Sequence, residues 1–163
     1  MLSGSGKSAS GFSLIELLIV VAIILIIAAI AIPNFMRSRI AANQASAVGS
    51  LRQMNTAEVT YASTFNIGYS VALSYLGPVI AGQPTSLGAG LVDSLLASGV
   101  KSGYVFVYSS QPPDASGKVN AYEITGTPSS STTGTIYYFT DQSGVIRQNA
   151  TAVAGSTDSP IAG

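Results

Sequence analysis

The chain has 163 residues, a formal net charge of zero, 9% charged residues and a mean hydropathy of +0.45, whereas a soluble domain typically carries about 25% charged residues. That balance gives no sequence-wide attraction to nucleic acid or acidic lipid, and it points to membrane contact or to extensive burial. With neither cysteine nor histidine, disulfides, thiolate metal sites, Ser-His-Asp catalysis and the commonest metal ligand are all removed, so no enzyme, cofactor or metal site is expected.

Residues 1–11 are small and polar, with one positive charge at Lys7. Within them Gly4-Ser5-Gly6-Lys7-Ser8 looks like the end of a phosphate-binding loop. The full pattern needs glycine where Met1 stands, and no strand precedes it, so that reading is set aside. An apolar run follows from Phe12 to Ile32, interrupted only at Glu16 and by small residues. At about 1.5 Å per residue it reaches roughly 30 Å, the hydrocarbon thickness of a bilayer. A secretory signal has a shorter apolar core, followed by a small-residue cleavage site. Here Pro33-Asn34-Phe35 follows instead. The run therefore reads as a membrane-spanning helix.

Glu16 breaks the apolar pattern. A carboxylate deep in a bilayer costs about 2.5–3.5 kcal/mol on insertion scales. Either Glu16 has a functional partner, or it lies shallow and reaches the headgroups. Pro33 lacks an N–H and crowds the carbonyl of Ala29, so a kink is expected there. Charge bias does not orient the span, because Lys7 and the initiator amine face Arg37 and Arg39 in a near tie.

Gly11-Phe12-Ser13-Leu14-Ile15-Glu16, followed by the apolar run and Pro33, resembles the N-terminus of type IV pilins and type II secretion pseudopilins. The short leader with phenylalanine after the glycine is the class-a pattern of that family. The resemblance is detailed from Gly11 to Ser38 and architectural beyond it. It implies that a prepilin peptidase and methyltransferase cuts between Gly11 and Phe12 on the cytoplasmic side and methylates the new N-terminal Phe12. It implies a bacterial inner-membrane protein, N-terminus in and C-terminus out. Inner-membrane machinery would then assemble it into a homo-oligomeric helical filament, either a pilus at the cell surface or a periplasmic pseudopilus. Many members carry a glycine in the apolar run, where this chain reads Ile24-Leu25-Ile26-Ile27. The physical reading of Glu16 agrees with the resemblance. Cleavage creates an ammonium at Phe12, and opposite charges attract strongly in a low dielectric. An amine from a neighbouring subunit can therefore neutralise Glu16.

Beyond Pro33 the pattern turns amphipathic. Met36, Ile40, Ala47, Leu51, Met54, Tyr61 and Phe65 recur at helical spacing, giving a face to pack on a sheet. Glu58 falls on that stripe with no reason visible in the sequence. Asn66-Ile67-Gly68 ends the helix, the glycine being suited to a cap. Residues 66–102 read as a connector with short helices, Ser70–Leu76 and Leu91–Ser98, the second closed by Gly99. Four strands follow, Tyr104–Ser109, Ala121–Thr125, Thr135–Thr140 and Val145–Asn149, each rich in aromatic or β-branched residues. In the first, Val105 and Val107 make the second face apolar too, to be covered by the connector or by another subunit. Asp141-Gln142-Ser143-Gly144 is a turn signal.

The expected class is α+β: a long N-terminal helix, membrane-spanning in its first half, packed on a four-stranded antiparallel meander, similar to the pilin fold. The expected divisions are a leader (1–11), a transmembrane half-helix (12–33), an amphipathic half-helix (34–65), a connector (66–102), and sheet with tail (103–163). Some family members hold calcium in an acidic C-terminal loop. Here Asp141 and Asp158 stand alone, short of the six to eight oxygen donors that calcium takes, and Asp141 reads as a turn former. The leading function is a filament subunit of a type IV pilus, with a secretion pseudopilin as the alternative. A monomeric membrane-anchored binding protein is a second alternative, and an anchored hydrolase is disfavoured by the missing His and Cys. Nucleic-acid binding is disfavoured because basic residues do not cluster beyond Arg37 and Arg39.

Overall fold

The computed structural model describes residues 11–79 and 81–161. The leader up to Ser10, including the phosphate-loop-like Gly4–Ser8, lies outside the described residues. Helix α1 runs from Leu14 to Phe65 and is helical through both Ile24–Ile27 and Pro33. The chain divides into two compact units, one up to Arg37 and one from Ser38 on.

In the first unit every large apolar side chain from Phe12 to Phe35 is exposed, from 46% at Val21 to 82% at Leu14. Its helix is long and apolar enough to cross a membrane. Among the described residues no side chain covers it, and an exposed apolar surface of that extent is suited to lipid or to other helices.

The second unit is built on the rest of α1. From Ala47 the expected stripe enters the core: Ala47, Leu51, Met54 and Tyr61 are buried, and Phe65 packs against them half-buried. Helix α1 ends on Asn66, whose φ of 56° makes it the left-handed cap residue, its N–H donating to the Ala62 carbonyl at 3.1 Å. Gly68, the expected cap, has a different task. It forms a bridge with Val119, and a side chain there would collide with the Val119 backbone.

The connector holds a 3₁₀ turn, Leu73–Leu76, and a single turn of helix, α2, Ser94–Ala97. Helix α2 is shorter than expected because Asp93 caps it, accepting from the Leu96 N–H at 2.9 Å. Leu73, Leu76, Ala89, Val92 and Leu96 join the same core as α1.

The sheet is an antiparallel meander in the order β1-β2-β3-β4-β5: Val100–Lys101, Tyr104–Ser110, Tyr122–Pro128, Tyr137–Asp141 and Arg147–Asn149. It has five strands, not four. The additional strand, β1, is too short to carry an alternation. It pairs Lys101 with Tyr104 around Ser102 and Gly103, both at positive φ, as a two-residue hairpin turn of the primed type requires. Tyr104, Phe106, Tyr122, Ile124 and Tyr138 form the helix-facing side. Gly126 lies between Phe106 and Tyr138 in register, and a side chain there would crowd the Phe106 ring. The outer side is open at Val107, 57% exposed, and closed at Phe139, which is buried beside Arg147, while the connector joins the core instead of covering it. Asn55 ties α1 to the sheet, donating to Thr140 Oγ1 at 2.8 Å and accepting from the Tyr122 hydroxyl at 3.1 Å.

The C-terminal segment, expected as a tail, is clasped to β5. Asp158 accepts from Asn149 Nδ2 at 2.9 Å and from the Gly155 N–H at 2.8 Å, while Arg147 Nη1 donates to the Asp158 carbonyl. Backbone bonds from Gln148 to Ser159 and from Ile161 to Ile146 complete it.

Candidate functional site

Gly11 and Phe12 precede the first turn of α1. Among the described residues nothing lies within 4 Å of a side chain built on Gly11, and its φ is outside the left-handed region. The fold itself therefore has no need of glycine at this position. Phe12 is 80% exposed. Both residues are exposed.

Ser13 and Glu16 are brought together. The Ser13 N–H donates to Glu16 Oε2 at 2.9 Å, and the Leu17 N–H donates to the Ser13 carbonyl at 3.2 Å. Glu16 is thus the returning member of a capping box, satisfying an N–H that the helix start leaves without a partner. Glu16 Oε1 takes no hydrogen bond from any described residue. The Ser-x-x-Glu spacing of Ser13 and Glu16 carries this signal in the sequence. At Pro33 the helix loses one bond, and next to it Asn34 Nδ2 donates to the Ile30 carbonyl at 3.0 Å.

A second constellation explains Glu58. Its side chain is fully buried. Glu58 Oε2 accepts from the Ser70 N–H at 2.8 Å, and Oε1 accepts from the Ser70 hydroxyl at 2.6 Å. The Tyr108 hydroxyl, which donates to the Ser70 carbonyl at 2.8 Å, is also 3.1 Å from Ser70 Oγ. Burial pushes the Glu58 carboxyl up from its ordinary value, against the opposing pull of its bonds to Ser70. Burial, with Glu58 nearby, pushes the Tyr108 and Tyr122 hydroxyls up as well. Three separated segments meet here, so the group joins α1, the connector and β2. No sequence spacing links Glu58 to Ser70 and Tyr108. Among the described residues no group of three His, Cys, Asp or Glu side chains could hold a metal.

Residues 6–32 match the family described as the prokaryotic N-terminal methylation motif. A 53-residue stretch is 51% identical to the type IV major pilin protein PilA of Myxococcus xanthus (strain DK1622), covering 32% of this chain and 24% of that protein. The chain thus matches about a quarter of that relative's length. No solved structure matches the chain significantly. The chain thus carries a prokaryotic N-terminal methylation motif at the start of an exposed apolar helix, and over part of its length it is similar to a type IV major pilin.

Proposed function

We propose that the chain is the structural subunit of a type IV pilus-like filament. A prepilin peptidase cleaves it between Gly11 and Phe12 and methylates Phe12, and the helix then anchors it in the inner membrane, N-terminus in and C-terminus out. The observation that carries this reading is the unburied apolar surface of α1 behind the methylation motif. In a bilayer that surface is solvated by lipid tails. Once the subunit leaves the bilayer, each Å² exposed to water costs about 25 cal/mol, and other copies of the same helix are the available cover. Among packed apolar helices Glu16 then needs a cation. Its Oε2 already caps the helix, which leaves Oε1 for the methylated amine of Phe12 from a neighbouring subunit. Pro33 is where we place a kink. The similarity to a major pilin favours a pilus over a secretion pseudopilus.

Mass spectrometry of sheared filaments tests this. The expected terminus is methylated Phe12, and assembled material that retains the leader would overturn the reading. Gly11→Val should leave unprocessed precursor in the membrane while the second unit folds normally.

A further inference from the structure

Of the seven carboxylates in the chain, four are satisfied internally: Glu58 by Ser70, Asp93 by Lys101 and Leu96, Asp114 by Ser116, Lys118 and Asn120, and Asp158 by Asn149 and Gly155, while Glu16 is held by Ser13 through one oxygen and assigned above to the Phe12 amine. Glu123 and Asp141 remain. They are direct partners across β3 and β4, where like charges oppose one another unfavourably. Asp141 takes only the Ser143 N–H of its own turn, and neither residue has a cation among the described residues. Both alternate with the buried Tyr122, Ile124 and Thr140, so they point to the side of the sheet away from α1.

On the other side of the sheet, Arg52 of α1 is exposed and has no acidic partner among the described residues. It lines a groove of about 410 Å³ with Ala45, Val48, Tyr138, Gln148 and Ile161. A guanidinium against such walls is suited to bidentate carboxylate binding. Within one chain Arg52 forms no ion pair with Glu123 or Asp141, whose side chains point to the opposite face of the sheet, so all three charges are left for a contact between copies.

We infer that the Arg52 groove receives the Glu123–Asp141 edge of a second copy of this chain. The contact joins two different patches. Such a heterologous contact propagates into an open helical array and does not close as a dimer, and the inference rests on the filament reading above. Arg37 and Arg39 are less suited, since they follow directly on the apolar run, where lipid phosphates meet them before assembly.

The native chain has no cysteine, so cross-linking is unambiguous. Arg52→Cys combined with Glu123→Cys should, on treatment of intact cells with a flexible bis-maleimide that replaces the length of the two lost side chains, yield a ladder of multimers. Either single variant should give at most a dimer band. No ladder, in cells whose wild-type protein yields sheared filaments, would overturn the pairing and leave the filament reading standing. No ladder and no wild-type filaments would overturn both. As a second test, Arg52→Glu alone, or Glu123→Arg with Asp141→Arg, should lower sheared filament several-fold, and the three together should restore it. Wild-type yields from the partial reversals would overturn the pairing, as would failure of the full swap to recover while each variant still folds.

Discussion

Glu16 accepts the backbone N–H of Ser13 at 2.9 Å, so the carboxylate that interrupts the apolar run also caps the helix that carries it. Two explanations for Glu16 are thereby separable. Gln can keep the cap without the charge, and Val loses both. If pairing with the Phe12 amine drives assembly, Glu16→Gln and Glu16→Val should both be inserted and cleaved. Both should then fall at least about tenfold in sheared filament relative to membrane, as a loss of about 1.4 kcal/mol per addition would give. Immunoblots of the two fractions decide it. Wild-type assembly of Glu16→Gln would show that the cap is what matters.

Removing residues 1–33 should leave a soluble, folded and mostly monomeric fragment. The core of Leu51, Met54, Tyr61, Tyr104, Ile124 and their neighbours lies wholly after that point, and it draws on α1, the connector and the sheet together. A single cooperative melt with sedimentation as a monomer is the expected result.

In that fragment Glu58 sets a pH dependence. Its folded carboxyl is raised above the ordinary 4.5 by burial, so the folded state binds the proton more tightly than the unfolded chain. The stability linked to that proton is fully present below about pH 4.5 and is lost as pH rises through the folded value. Thermal melts should therefore show this contribution fading on the alkaline side of 4.5, and Glu58→Gln should flatten it. Glu58→Ala leaves the Ser70 N–H buried without its acceptor, at a cost of about 1–3 kcal/mol for an unsatisfied group, while the Ser70 hydroxyl keeps the Ala72 carbonyl.

Asp158 closes the C-terminal segment in a chain that has no disulfide to do so. Asp158→Ala removes the acceptor of Asn149 Nδ2 and of the Gly155 N–H, a loss of about 1.5 kcal/mol for a hydrogen bond to a charged group. Amide exchange should accelerate at Gln148 and Ile161, whose N–H groups hold the segment to β5, while the Leu51 amide in the core of α1 stays protected.

Several features were legible in the sequence because their causes are local. Membrane length depends on the count of apolar residues from Phe12 to Ile32, and the processing motif on consecutive residues around Gly11. The core face of α1 at Ala47, Leu51, Met54 and Tyr61 follows from a period of 3.6. Aromatic and β-branched runs marked four of the strands, and the Asp141–Gly144 turn formed as its residues demand, with Asp141 accepting the Ser143 N–H. What tertiary structure alone decided depends on residues far apart in the chain. Glu58 is tolerable in the core because Ser70 and Tyr108 arrive from two other segments to bond with it. Gly68 is needed because Val119 passes against it, and Asn66 is thereby left to cap the helix. Strand β1, two residues long, exists because β2 offers it an edge. Asp158 became a clasp because β5 brings Asn149 and Arg147 beside it. Nothing in the sequence pairs Glu123 with Asp141, and only the β3–β4 register sets them opposite one another on the face turned away from α1.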